Sequence, residues 1–224
     1  AVEALDLPDS VASLEDLSYF TGLRSLSLHH GASLDLSVLS RLPLLQSLDL
    51  SGCTLSTAAM NTIVTLPELT SLNLSGCAVA EIDALISLQK LETLDLSNTT
   101  VSDLTALSGL LALRELNLTN NPVTSLNNLK NCTALETLDL SGNSISDISV
   151  VSGFKQLVDL NVSSNQITEL PQFDADTPLW HVDISHNQIE SLAGLEGNLA
   201  VNFIDADYNR IKSISKLESC IMLV

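Results

Sequence analysis

Leu113-x-x-Leu116-x-Leu118-x-x-Asn121-x-Val123 and, 22 residues on, Leu135-x-x-Leu138-x-Leu140-x-x-Asn143-x-Ile145 are two clean copies of one pattern. The first half alternates apolar and polar residues, the period of a short β-strand with its leucines on one face. The second half returns the chain to the start of the next copy. One strand and one return arc cannot bury an apolar face alone, so the copies must stack. The fold expected is a solenoid, and side chains between the leucines are left to carry function.

The register follows from the first apolar residue of each copy: Val2, Leu23, Leu45, Leu69, Leu91, Leu113, Leu135, Leu157, Leu179 and Val201. Successive differences are 21, 22, 24 and then 22 throughout. Ten units in one unbroken period make residues 1–224 a single domain. A further 22 residues from Val201 reach Leu223, and no initiator Met or polar capping segment precedes Val2. Because terminal repeats of solenoids normally carry a polar outer face, the chain reads as a piece of a longer protein. Val2, Leu5 and Leu7 at one end, and Ile221, Met222, Leu223 and Val224 at the other, are expected to leave apolar strand edges.

On the return arcs apolar residues recur every third place, as in Val101, Leu104, Leu107, Leu110 and in Ile145, Ile148, Val151, Phe154. That spacing suits 3₁₀ turns, in which side chains at i and i+3 eclipse. The 24-residue unit differs, because Ser56-Thr57-Ala58-Ala59-Met60-Asn61-Thr62-Ile63-Val64 has two extra residues and a Ser in N-cap position, which predicts a short α-helix.

The pattern is that of the leucine-rich repeat. Val101-Ser102-Asp103-Leu104-Thr105-Ala106-Leu107 and Ile145-Ser146-Asp147-Ile148-Ser149 resemble the 22-residue subclass found in bacterial internalins and phosphatase-regulatory leucine-rich-repeat proteins. The resemblance implies an α/β solenoid with a curved, parallel, concave β-sheet and a convex face of 3₁₀ turns and short helices. It also implies that the concave face binds another protein, at the extracellular or cell surface of a bacterium, with a cytoplasmic scaffold as the alternative. No partner-specific residues carry over, since no helical cap precedes Val2 and no immunoglobulin-like domain follows. Sequons at Asn73, Asn98, Asn117, Asn131 and Asn161, several of them on the strands, argue against a eukaryotic secretory origin, because glycans there would block the groove.

Columns of equivalent places can be read across the units. The ninth place holds Gly31, Cys53, Cys77, Thr99, Asn121, Asn143, Asn165, Asn187 and Asn209. Asn there can pair with backbone groups exposed as the chain leaves the strand, and Cys or Thr can do part of the same work. Cys132 and Cys220 fall on apolar arc places, so all four thiols are expected to point inward. Cys53 and Cys77 lie close enough in sequence register for a disulfide, but both are needed at the turn, and free thiols are the expectation.

The third, fifth and seventh places face out of the sheet. From Leu45 on, the fifth place reads Asp49, Asn73, Asp95, Asn117, Asp139, Asn161, Asp183, Asp205. Two unit charges one strand apart, ~4.8 Å, repel by about 3.5 kcal/mol at an effective dielectric of ~20, so alternation keeps a carboxylate column tolerable. Alternation fails at Asp183 and Asp205, with Asp207 on the same face. The third place reads Ser25, Ser47, Ser71, Thr93, Glu115, Thr137, Asp159, His181 and Phe203, so it is mostly small and polar until bulk appears near the C-terminal end. Although only 3% of the chain is aromatic, Trp180, Phe203 and Tyr208 fall in two adjacent units. Aromatic anchors with a charged surround characterise binding hot spots. The candidate protein-binding residues are therefore Asp159, Trp180, His181, Asp183, Phe203, Asp205 and Asp207. Nearby, Asp176 and Asn198 occupy an apolar arc place, so Pro171–Pro178 is expected to be an irregular loop.

Composition narrows the function classes. With 9 Lys and Arg against 27 Asp and Glu the formal net charge is -18, which disfavours nucleic acid and anionic membranes and favours a basic protein partner. No stretch approaches the ~20 apolar residues of a membrane helix. His181 with Asp159 or Asp183 and Ser185 could be imagined as catalytic, but no nucleophile elbow, phosphate loop or metal motif occurs and a shallow groove excludes little water. The expectation is a non-enzymatic module with no cofactor. The alternative is a calcium-binding or structural spacer domain using Asp183, Asp205 and Asp207, without an Asp-x-Asp-x-Asp-Gly loop to support it.

Overall fold

The computed structural model describes residues 2–8, 10–28, 35–220 and 222–223. Gly31, Ile221 and Val224, which figure in the expectations above, lie outside the described residues. Ten strands form one sheet in chain order. They are β1 (Ala4–Leu7), β2 (Ser25–Leu28), β3 (Ser47–Asp49), β4 (Ser71–Asn73), β5 (Thr93–Asp95), β6 (Glu115–Asn117), β7 (Thr137–Asp139), β8 (Asp159–Asn161), β9 (His181–Asp183) and β10 (Phe203–Asp205). Every pairing is parallel and matches equivalent places, as Leu94, Leu116, Leu138 and Leu160 do across β5 to β8. The fold is the expected leucine-rich-repeat solenoid.

Leucines at the first, fourth and sixth places vanish from solvent: Leu113, Leu116 and Leu118 expose at most 1% of their surface. They belong to one continuous apolar cluster reaching from Leu14 to Val201. Each such side chain contributes about 2 kcal/mol of transfer free energy, set against the entropy of ordering its unit. At the ends, Leu5 and Leu7 pack partly against the cluster, while Val2, Met222 and Leu223 remain exposed.

The arcs are built as the three-residue spacing requires. Leu107 donates its N–H to the Leu104 carbonyl, Leu110 to Leu107 and Leu113 to Leu110, so the buried residues are themselves the hydrogen-bonding steps of a 3₁₀ path at Thr105–Gly109. The long unit makes α1 (Thr57–Ile63) instead, capped by Ser56, whose hydroxyl accepts from the Ala59 N–H at 3.1 Å. Its Ala59, Met60 and Ile63 face inward.

Between β8 and β9 no 3₁₀ helix forms. Phe173 fills the core there, Asp176 turns out to solvent and Thr177 is buried behind it, its hydroxyl oxygen lacking a hydrogen-bond partner. Asn198, wholly buried, donates to the carbonyls of Asp174 and Thr177 at 3.0 and 2.9 Å and accepts from the Ala200 N–H at 3.1 Å. The irregular arc is therefore anchored. Gly194 packs against it so closely that a Cβ would run into the Pro171 carbonyl and the Leu170 side chain.

All four cysteines are free and buried. Cys53 and Cys77 donate their thiols to the carbonyls of Leu28 and Leu50, each at 3.1 Å. Asn121 makes the corresponding bond to Leu96 at 2.8 Å, so sulfur replaces the amide in the same ladder. Burial pushes the thiols of Cys77 and Cys132 up to about 11, from an ordinary 9.0. A raised folded value stabilises below the unfolded one, and that stability is lost as pH climbs between about 9 and 11. Native protein at pH 8 is therefore expected to resist iodoacetamide at both positions and to react fully in denaturant, as mass spectrometry would read. Rapid native labelling of Cys77 would contradict its place in the ladder.

Candidate functional site

Strand register assembles the face. Asp159, His181 and Phe203 are successive Cα partners at the third place of β8, β9 and β10. The His181 Nδ1 sits 3.0 Å from the Asp159 carboxylate, and its ring stacks on Phe203 with centroids 5.0 Å apart and planes 28° from parallel. A half-exposed contact of this kind is worth under about 1 kcal/mol, so its role is to orient the imidazole. Phe203 stays 48% exposed, a large apolar surface presented on the sheet.

The fifth place has a local duty in each unit. From Asp49 to Asp205 its side-chain oxygen accepts the N–H two residues on, at 2.8–3.0 Å, closing an Asx turn that ends the strand. Alternation adds a cross-strand bond, with Asn117 donating to Asp95 at 3.2 Å and Asn161 to Asp139 at 3.3 Å. Asp205 has no amide to give its register partner Asp183. Asp207 stands exposed beside them, its N–H bound to Asp205. Among the described residues no three His, Cys, Asp or Glu side chains group closely enough to hold a metal ion.

Trp180 is placed differently. It belongs to the second-place column just before β9, the column in which Arg114 and Glu136 form a 2.6 Å ion pair. It is 46% exposed and flanks the Asp159–His181–Phe203 row; neither ring contact found among the described residues includes it.

The second ring contact was not anticipated from the sequence. His186 and Tyr208 stack with centroids 4.2 Å apart and planes 12° from parallel. Both occupy the eighth place, where the backbone is left-handed in every unit from the third on: Gly52, Gly76, Asn98, Asn120, Gly142, Ser164, His186 and Tyr208 have φ between 54° and 71°. Gly and Asn tolerate that conformation; for Ser, His and Tyr it costs on the order of 1 kcal/mol each. The run of Gly and Asn in this column is the signal that could have revealed the place.

Comparison with known proteins completes the picture. The family model of leucine-rich repeats matches residues 67–109, 89–131, 111–153 and 133–175. No curated protein matches the chain by sequence. An internalin (inlF) from Listeria monocytogenes is similar over 99% of this chain, with 28% identity and a TM-score of 0.86, and the chain spans 65% of that protein. Internalin C2 (inlC2) from the same species shows 24% identity and a TM-score of 0.69, covering 92% of this chain and 81% of its own. The ectodomain of the plant receptor kinase GASSHO1/SCHENGEN3 from Arabidopsis thaliana, solved in complex with CASPARIAN STRIP INTEGRITY FACTOR 2, has 22% identity and a TM-score of 0.76 over 99% of this chain and 32% of that one. Repeat register, sheet, arcs and these likenesses agree: the chain has the leucine-rich-repeat fold and resembles the bacterial internalins.

Proposed function

We propose that this domain is a non-enzymatic protein-interaction module that docks a basic protein partner on the C-terminal third of its concave face, around Asp159, Trp180, His181, Asp183, Phe203, Asp205 and Asp207. One observation carries the reading. The third, fifth and seventh places of the ten units hold nine carboxylates and no Lys or Arg. The cations lie elsewhere, and Lys90, Arg114, Lys155, Lys212 and Lys216 are already paired with acids. The face thus attracts a basic surface, and its only large apolar groups lie where the Asp/Asn alternation fails. The complex of the plant ectodomain supports a protein as partner, by likeness of fold. The internalin likeness supports a bacterial surface location, with the cytoplasm as the alternative; the sequence upstream of Ala1 would decide between them.

Asp205 offers a direct test. Asn keeps the Asx turn, as Asn73, Asn117 and Asn161 do in their units, while removing repulsion with Asp183. Asp205→Asn is expected to raise the thermal midpoint of the free protein at neutral pH, and to weaken octa-lysine binding while flattening its salt dependence. A lowered midpoint would mean that the carboxylate is satisfied within the fold. Unchanged peptide binding would remove the acidic face from the proposal.

A further inference from the structure

We propose that the His186–Tyr208 stack is a second anchor of the docking face and that it takes an arginine side chain of the basic partner; this rests on the concave-face reading above. The eighth place borders the open sheet face on the side where the strands end. In five of the eight units with a left-handed eighth place it carries Gly or Asn. Here it carries two aromatic rings, both exposed, Tyr208 at 76%. Nothing in the core requires them, because the earlier units make the same turn with Gly52, Gly76 and Gly142.

The chemistry of the occupant follows from shape and charge together. On the side of His186 away from Tyr208 the column continues with exposed Ser164, whose hydroxymethyl group is too short to cover an imidazole ring. The stack therefore ends in a ring face with room for one more flat group. A guanidinium is flat, stacks on aromatic rings and stays charged; an ammonium is a compact, strongly hydrated point charge. The neighbouring sheet supplies the opposite charge at Asp183, Asp205 and Asp207. Asp183 and Asp205 stand three residues before His186 and Tyr208 in their units, with Asp207 next to Tyr208, so the segment that fits carries one cation over the carboxylates and an arginine over His186.

The double variant His186→Asn, Tyr208→Gly replaces both rings with residues the same turn uses in other units, so the fold is kept and the thermal midpoint should hold or rise. Octa-arginine and octa-lysine are titrated against the wild-type domain and the variant at one ionic strength. Wild type is expected to prefer octa-arginine, and the variant to lose about 3-fold of that preference. A preference that survives in the folded variant overturns the anchor, as does equal binding of both peptides by wild type, and either result leaves the acidic face standing. Failure of both peptides to bind overturns the concave-face reading and the anchor with it. Should the variant unfold, His186→Asn alone carries the same comparison.

Discussion

Asn165→Ala is expected to cost roughly 3–5 kcal/mol of stability, at the upper end for a single polar substitution. The Asn165 amide lies 2.9 Å from the Leu140 carbonyl of the preceding unit and 3.1 Å from that of Val162 in its own, and its oxygen accepts the Ile145 N–H at 2.9 Å. Alanine removes these bonds, and a further one to the Ser163 carbonyl at 3.1 Å, at once from a place that is 9% exposed. Burying a backbone group without a partner costs about 1–3 kcal/mol each, and part of that is recovered as water enters the turn. Asn165→Cys should cost distinctly less than Ala, because a thiol can still donate to the preceding unit, as Cys53 and Cys77 do. It should cost more than nothing, since a thiol leaves the Ile145 N–H unmet. Urea denaturation of the three proteins checks the order. If Ala and Cys were equally destabilised, or if Ala cost under about 1 kcal/mol, the side-chain ladder would not be what joins one unit to the next.

The same ladder shows why so much of the fold was legible in the sequence. Each unit solves the same local problem, and a period of 22 repeats the solution in register, so the leucine triplets, the Asn column and the inward cysteines could be read by place alone. The α-helix of the 24-residue unit was legible for a similar reason, since Ser56 declares its start. Reading failed where a side chain's neighbour is set by backbone conformation rather than by alternation. His186 and Tyr208 were legible as ring residues of the C-terminal cluster but not as partners of each other, because the eighth place belongs to neither face of a strand; its left-handed backbone brings the two rings together. The Asp/Asn column was read as charge management alone. Its first duty is the Asx turn, which either residue can make, and alternation adds the amide bonds from Asn117 and Asn161 on top. At the irregular arc, the polar Asp176 and Asn198 were legible as residues that must find partners or turn outward, whereas the burial of Thr177, four residues after the core residue Phe173, was not.

Phe203→Ala is expected to weaken binding of a basic partner by about 2 kcal/mol or more, close to thirty-fold in Kd, with the fold intact. Phe203 is the outermost member of the third-place row, stacked on His181 and half exposed, so its loss removes apolar contact area and leaves the imidazole face bare. His181 in turn is oriented by Asp159. The row therefore presents a fixed ring beside carboxylates, and a partner pays little to order it. Trp180→Ala is expected to cost a comparable amount through the flank of the same row. The sign of each contribution separates them from the acidic residues: the ring variants should act on dissociation and keep the salt dependence, whereas Asp205→Asn should slow association and reduce it. Tyr19, 83% exposed on a return arc at the opposite end of the solenoid, supplies the control, and Tyr19→Ala should leave binding unchanged. A cationic peptide selected by display on the wild-type domain serves as ligand, with rates read by surface plasmon resonance. If Phe203→Ala and Trp180→Ala bind it within two-fold of wild type while Tyr19→Ala does not, the docking surface lies at the other end of the array and the C-terminal row is only the close-packed margin of the sheet.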